Sequence, residues 1–384
     1  MTNTWPLVPL GEIATPIERP EIPVAGKIYR QVGVRLWGVG AYERESIDGS
    51  QTQYKTLSRI EDGDIILNKI WARNGSVAVV PRSLAGCYVS SEFPTFVPIR
   101  EKLRPSWFHW ITKTKSFWGQ CDEKSRGTSG KNRIRPEQFL KIEIPLPPLE
   151  EQQRIVARIE ALARRVEEAR GLRGKAVEKC DILLRSMIFD ESNGAPTPTS
   201  MRELVRLREP DVIVRPEETY HFAGVYCFGK GVFRGQRKSG MNFAYPRLTR
   251  LRTGNFVYPK LMAWEGALGV VPPECDGLVV STEFPVFEID QSRVLPEILD
   301  VYFRTPSVWP TLSAESTGTN VRRRRLNPTD FFAFKMPLPP MSTQFRLREV
   351  KAKIDKVRQL QVETQKELDA LMPSILAKAF AGEL

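Results

Sequence analysis

The stretch Pro145-Leu146-Pro147-Pro148-Leu149-Glu150-Glu151-Gln152-Gln153-Arg154-Ile155 decides how this chain is organised. A Pro-Pro pair is excluded from a helix interior but suits a helix start, and two carboxylates in the first turn complement the positive end of the helix dipole. Beyond it Ile155, Ile159, Leu162, Val166 and Ala169 recur at spacings of four and three, and the rhythm resumes through Val177, Cys180, Leu184 and Met187. This predicts one long helix with a single apolar seam on a charged rod. The element occurs again as Pro337-Leu338-Pro339-Pro340-Met341, followed by Gln344, Arg346, Leu347, Val350, Ile354 and Val357.

Outward from the rods, the rest of the chain repeats as well. Gly63 through Phe96 aligns without a gap to Gly254 through Phe287: Lys69 falls on Lys260, Gly75 on Gly266, Val79-Val80-Pro81 on Val270-Val271-Pro272, and Ser90, Glu92, Phe93, Pro94 on Ser281, Glu283, Phe284, Pro285. The same offset pairs Tyr29, Gly33, Gly38 and Gly40 with Tyr220, Gly224, Gly229 and Gly231, and Trp118 with Trp309. One further residue enters the second copy before Arg133, Pro136 and Phe139 meet Arg325, Pro328 and Phe331. A repeat of this length fixes the order as globular unit (1–144), rod (145–190), globular unit (191–336), rod (337–384). Runs such as Asp64-Ile65-Ile66-Leu67 and Ser76-Val77-Ala78-Val79-Val80 read as strands, and Trp107–Ile111 and its counterpart Ile298–Phe303 as helices, so each unit is expected to be α+β with a curved, partly antiparallel sheet.

The rods most simply meet along their seams as an antiparallel coiled coil with pseudo-twofold symmetry. Two separate surface helices are the alternative. Gly171, Arg173 and Gly174 interrupt the first seam, and Gln361, Thr364 and Pro373 disturb the second. A rod of roughly 35 residues spans about 50 Å, more than the roughly 34 Å of one DNA turn.

Composition narrows the function classes. With 384 residues, 41% hydrophobic and 27% charged, the chain is an ordinary globular one. A net charge of +12 favours an acidic partner, nucleic acid before a membrane surface. No apolar run is long enough to cross a bilayer, and Met1-Thr2-Asn3-Thr4-Trp5 has no signal-peptide pattern, so a cytoplasmic location without membrane contact is expected. Five scattered cysteines form no C-x-x-C pair, and only His109 and His221 are present, so no disulfide framework, metal site or His-based catalyst is expected.

The repeated unit, each copy closed by Pro-Leu-Pro-Pro and a Gln- and Arg-bearing helix, resembles the specificity (S) subunit of type I restriction-modification enzymes. The first motif, Ile144 to Ile155, matches that family's signature closely, and the second keeps Gln344 and Arg346. Phe228-Gly229-Lys230-Gly231-Val232-Phe233-Arg234 and the Ser-x-Glu-Phe phrases at Ser90 and Ser281 are similar to phrases of the family's target-recognition domains. The resemblance implies a non-catalytic DNA-binding subunit in which each globular unit reads half of a split, asymmetric double-stranded target and the helices act as a ruler. It also implies docking of methyltransferase (M) subunits, two copies, which carry the S-adenosylmethionine for DNA methylation. It leaves open restriction (R) subunits, and a related phage-defence or modification-only complex.

Candidate DNA contacts are the basic and aromatic residues on loops: Arg35, Lys69, Arg73, Arg126, Lys131 and Arg133 in the first unit, and Lys230, Arg234, Lys260, Trp264 and the run Arg322, Arg323, Arg324, Arg325 in the second. Lys69 and Lys260 are equivalent and so suit a shared phosphate contact. Arg35 against Tyr226 and Arg73 against Trp264 differ between copies and suit base reading. A standalone DNA-modifying enzyme would need an Asn/Asp-Pro-Pro-aromatic motif, and the nearest phrase is Asn327-Pro328-Thr329-Asp330. Glu92 and Glu283, lacking a neighbouring acid, read as structural hydrogen-bonding groups. No catalytic residue is assigned.

Overall fold

The computed structural model describes residues 5–125, 132–192, 194–314 and 325–384. The chain divides into two compact units, one of residues 1–171 with 364–384 and one of residues 172–363.

In the first unit a four-stranded antiparallel sheet runs in the order Val77–Val79, Ile65–Leu67, Thr95–Pro98, Ala14–Ile17. Two of its strands, Ile65–Leu67 and Val77–Val79, are short and wholly apolar because both of their faces are covered, and the twofold alternation of a strand sorts the side chains. Ile65, Leu67 and Val77 join the core beneath the helix Pro105–Ile111, with Trp107 and Phe108. Ile66, Ala78 and Val80 join a second cluster with Val32, Val34, Cys87 and Val89. The opening strand Leu7–Pro9 pairs with Glu143–Pro145, so the unit closes immediately before the long helix begins.

The second unit repeats this plan. Val205–Leu207, Val286–Ile289, Phe256–Val257 and Gly269–Val270 form its four-stranded sheet, and Thr197–Ser200 pairs with Lys335–Leu338 ahead of the second rod. Phe256 and Val257 again part to opposite clusters. A five-stranded sheet adds the long hairpin Thr219–Tyr226 and Gly231–Ser239. Its one parallel pair, Phe222 with Val279, has a counterpart in the parallel bridge of Gln31 with Tyr88. The α+β class expected from the sequence is therefore observed.

Repeat glycines answer to geometry. Gly75 and Gly266 end equivalent 3-10 turns at φ 75° and 78°. A Cβ there would lie 2.8 Å from the Trp118 ring in one unit and would collide with the Trp309 ring in the other. Gly75→Ala and Gly266→Ala should each cost about 2 kcal/mol or more, combining left-handed strain with a clash against packed indole. Urea unfolding would measure this, and a change below about 0.5 kcal/mol would mean the ring simply moves aside.

The first rod is one helix, Leu149–Ile188, and Gly171 and Gly174 do not break it. The second rod is broken, though not where its proline falls: Met341–Glu363 ends at Thr364 and Gln365–Phe380 follows, with Pro373 inside that segment. In the first unit Ile155, Val156 and Ile159 share a core with Leu376 and Ala379, while Arg154 donates to the Leu384 carbonyl at 2.9 Å and Arg170 meets Asp369 at 3.4 Å. In the second unit Leu184, Met187 and Ile188 share a core with Leu347 and Ile354, and Asp181 pairs with Arg358 at 2.5 Å. In both cases the two helical stretches run antiparallel. Two expected interruptions meet, since Arg173 donates to the Gln361 carbonyl at 3.5 Å. Val357, expected on the seam, is 48% exposed. The turn after Ile354 is taken four residues on by Arg358, whose charge is matched by Asp181.

Burial holds the His109 imidazole down to about 4, with nearby Lys113 adding to the effect. In the unfolded chain the ring titrates near ~6.5. Between these values the unfolded state binds more protons, so stability is lost as pH falls through that window. His109→Leu should flatten the dependence of the urea midpoint between about pH 6.5 and 4; an unchanged slope would assign it to other groups.

Candidate nucleic-acid interface

Each unit presents a hairpin tip laced to a neighbouring turn. In the first, Val32–Arg35 and Gly40–Glu43 are joined through Trp37 and Gly38, whose N–H groups donate to the Asn74 and Gly75 carbonyls at 2.6 and 3.0 Å. In the second, Phe228 and Gly229 donate to Glu265 and Gly266 at 2.8 and 3.0 Å. Trp37 and Phe228 hold φ of 60° and 62°, a region a bulky L-residue seldom adopts. The tertiary hydrogen bonds sustain that strain, and the two rings stay exposed at the tips, 57% and 65%. The sequence shows the glycines of this turn but carries no sign of the aromatic residue's conformation.

Around these tips stand several of the expected contacts. The Arg35 guanidinium lies 4.9 Å over the Tyr42 ring. Arg73 shares a shallow cleft with Trp71, Asn74, Trp118, Gly119 and Asp122. Lys230 and Arg234 are exposed on the long hairpin and have no ion-pair partner among the described residues, and the same holds for Arg237. The Trp264 indole donates to the Leu261 carbonyl at 2.8 Å.

A second grouping recurs in both units. Lys69 N–H donates to the Glu92 carbonyl at 3.1 Å and the Lys69 carbonyl accepts from Ile134 at 2.9 Å; for Lys260, Glu283 and Leu326 the distances are 3.0 and 2.9 Å. Arg133 pairs with the Glu92 carboxylate at 3.2 Å, and Arg325 pairs with Glu283. Glu92 and Glu283 thus act as the structural acceptors the sequence suggests, and each places a carboxylate against an arginine that was a candidate DNA contact. The Lys260 ammonium donates to the Thr282 carbonyl at 3.0 Å. Arg126, Lys131, Arg322, Arg323 and Arg324 lie outside the described residues.

Gln152 and Gln344 both stand in the repeated motif, which by itself carries no sign of what they bind. Each is buried at the head of its rod, with its amide fully engaged.

Residues 2–172 match the family model described as type I restriction modification DNA specificity domain. No curated protein sequence matches the chain. Among solved structures, the HsdS subunit from Thermoanaerobacter tengcongensis is 24% identical with a TM-score of 0.59, over 100% of this chain and 98% of that one. A chain from a structure describing complex assembly and conformational transition of the type I R-M system is 21% identical with a TM-score of 0.69, over 100% and 99%. At such identities the likeness is one of fold.

Proposed function

Since residues 2–172 match the type I restriction modification DNA specificity domain model and the whole length shares the fold of the solved type I restriction-modification chains, we propose that this chain reads a split, asymmetric DNA sequence and docks methyltransferase subunits that modify it. The observation that carries the proposal is duplication with divergence. Two units share a backbone down to the positive φ of Trp37 and Phe228, yet differ at the outward side chains beside them, as at Arg35 against Tyr226. A common frame with different reading groups suits two different half-sites.

Exposed cations supply the sequence-independent part of binding. Lys230 and Arg234 on the second hairpin are the proposed contacts of that kind, and Arg35 and the half-buried Arg73 in the first unit are the proposed base readers. Arg133 and Arg325 are weaker candidates because a carboxylate already neutralises each. The paired helices would set the unread gap, and two copies of one methyltransferase would suit a surface that occurs twice. That partner would hold the S-adenosylmethionine. Among the described residues no helix is long and apolar enough to cross a membrane.

The test is co-expression with the methyltransferase encoded beside this chain, in a host lacking other modification, followed by mapping of modified adenines. A single split motif with a fixed gap, absent when the chain is omitted, is the expected result. Modification unchanged by omission would mean that the partner reads DNA by itself. Label passing from S-adenosylmethionine to DNA with the purified chain alone would replace the non-catalytic reading by that of a standalone enzyme.

A further inference from the structure

The two rods begin at a junction built the same way twice. Gln152, wholly buried, donates from its amide nitrogen to the carbonyls of Lys102 at 2.8 Å and Pro147 at 2.9 Å, and its amide oxygen accepts the Arg104 N–H at 2.9 Å. Gln344, 1% exposed, donates to Arg293 at 3.2 Å and Pro339 at 2.9 Å and accepts from Leu295 at 2.9 Å. One side chain in the first turn of the rod therefore joins three pieces of backbone: the turn that starts the helix Pro105–Ile111 or Pro296–Phe303, the Pro-Pro linker, and the rod itself.

What surrounds the amide differs between copies. In the first unit Arg104 reaches the rod, donating to the Leu149 carbonyl at 3.0 Å and to Gln153 at 2.7 Å. In the second, Leu295 stands at the position of Arg104, and ion pairs of Arg348 with Glu297 at 3.2 Å and Lys351 with Asp300 at 3.6 Å brace the contact instead. The junctions have diverged in every charged contact and kept the amide. No other side chain fits: a glutamate would set an oxygen against two carbonyls, and an apolar isostere would leave buried backbone groups unpaired.

We infer that Gln152 and Gln344 are positioning residues that fix the aim of each recognition body on its own rod, and so set the strictness of the unread gap without touching DNA. The inference rests on the split-target reading above. The lever is long. A body of this size is on the order of 30 Å across and one base pair is about 3.4 Å along the duplex, so a pivot of only about 7° at the junction shifts the reading face by one base pair. Buried, fully paired hydrogen bonds are what limits such a pivot.

The experiment uses the complex with its co-expressed methyltransferase, wild type and with Gln152→Met or Gln344→Met. Affinities are measured for duplexes carrying the mapped target, the target with one base pair added to or removed from the gap, and the target with one half-site base changed. Wild type should disfavour both the altered gaps and the half-site change by about 10-fold or more. In the variants gap discrimination should fall below about 3-fold while half-site discrimination stays near ~10-fold, a split that general destabilisation cannot produce. Ile66→Val, which thins the first unit's core away from the junction, should leave both ratios as in wild type. Unchanged gap discrimination in both variants overturns the inference and leaves the function standing. Failure of both variants to form soluble complex also overturns it, in favour of a folding role. A wild-type complex indifferent to the gap would remove the split-target reading, and the inference with it.

Discussion

Changing Lys230, Arg234 and Arg237 together to glutamine should weaken DNA binding on the order of 100-fold at about 0.15 M salt. The expectation follows from their setting. Lys230 lies in the turn of the hairpin Thr219–Tyr226 and Gly231–Ser239 and Arg234 and Arg237 on its second strand; all are exposed, and none has an ion-pair partner among the described residues. Cations held without partners are the ones that release counterions when they meet phosphate. Losing three contacts should reduce the slope of log K against log salt by about 2.7, and the loss should be similar for specific and unrelated duplexes. Arg325→Gln, by contrast, removes a charge already matched by Glu283 and should change the slope by less than about 1. A triple variant with an unaltered slope would place the DNA on another surface of the second unit.

The other large effect belongs to the core. Trp107 is the largest wholly buried side chain of the first unit; its indole N–H donates to the Pro145 carbonyl at 3.0 Å, and its ring meets Trp5 and Phe380 edge-on at 5.6 and 5.0 Å. Trp107→Ala leaves a cavity at the meeting point of the recognition body, the strand before the rod and the last helix. It also strips the Pro145 carbonyl of its donor. A loss of about 4–5 kcal/mol is expected, enough to unfold a domain of ordinary stability at 37 °C. Trp107→Phe should recover about half of it. Circular dichroism melts of the two variants would measure this, and a loss under about 2 kcal/mol would show that Trp5 and Phe380 close over the gap.

Much of this architecture was legible because the chain states it twice. The matched glycines and the paired Pro-Leu-Pro-Pro motifs show the repeat, and the structure gives the matched glycines matching torsions, as at Gly38 and Gly229 with φ 65° and 66°. Register within the rods was harder. A heptad reading counts apolar residues, so it placed Val357 on the seam and missed that Arg358, neutralised by Asp181, could replace it. The sequence marks Thr364 and Pro373 alike as disturbances of the second rod, whereas the helix breaks at Thr364 and continues through Pro373. The candidate interface was legible as charge and not as geometry. Sequence counts Arg133 and Lys230 alike, whereas the fold gives Arg133 to Glu92 and offers Lys230 no ion-pair partner among the described residues. The roles of Gln152 and Gln344 were hidden because an amide's partners here are backbone carbonyls, which every residue possesses.

The last helix has a consequence for synthesis on the ribosome. Leu376, Ala379 and Phe380 sit in the core of the unit that begins at the amino terminus, so that unit is whole only when almost all of the chain has emerged. At about 5–20 residues per second the first recognition body must wait roughly 10–40 s for its final wall. During that interval the apolar face of Ile155 and Ile159 is open, and a nascent chain cut short by a premature stop would keep it open. Such fragments would be substrates for chaperones and proteases, and only a chain extending through Phe380, bearing both recognition bodies, would escape them.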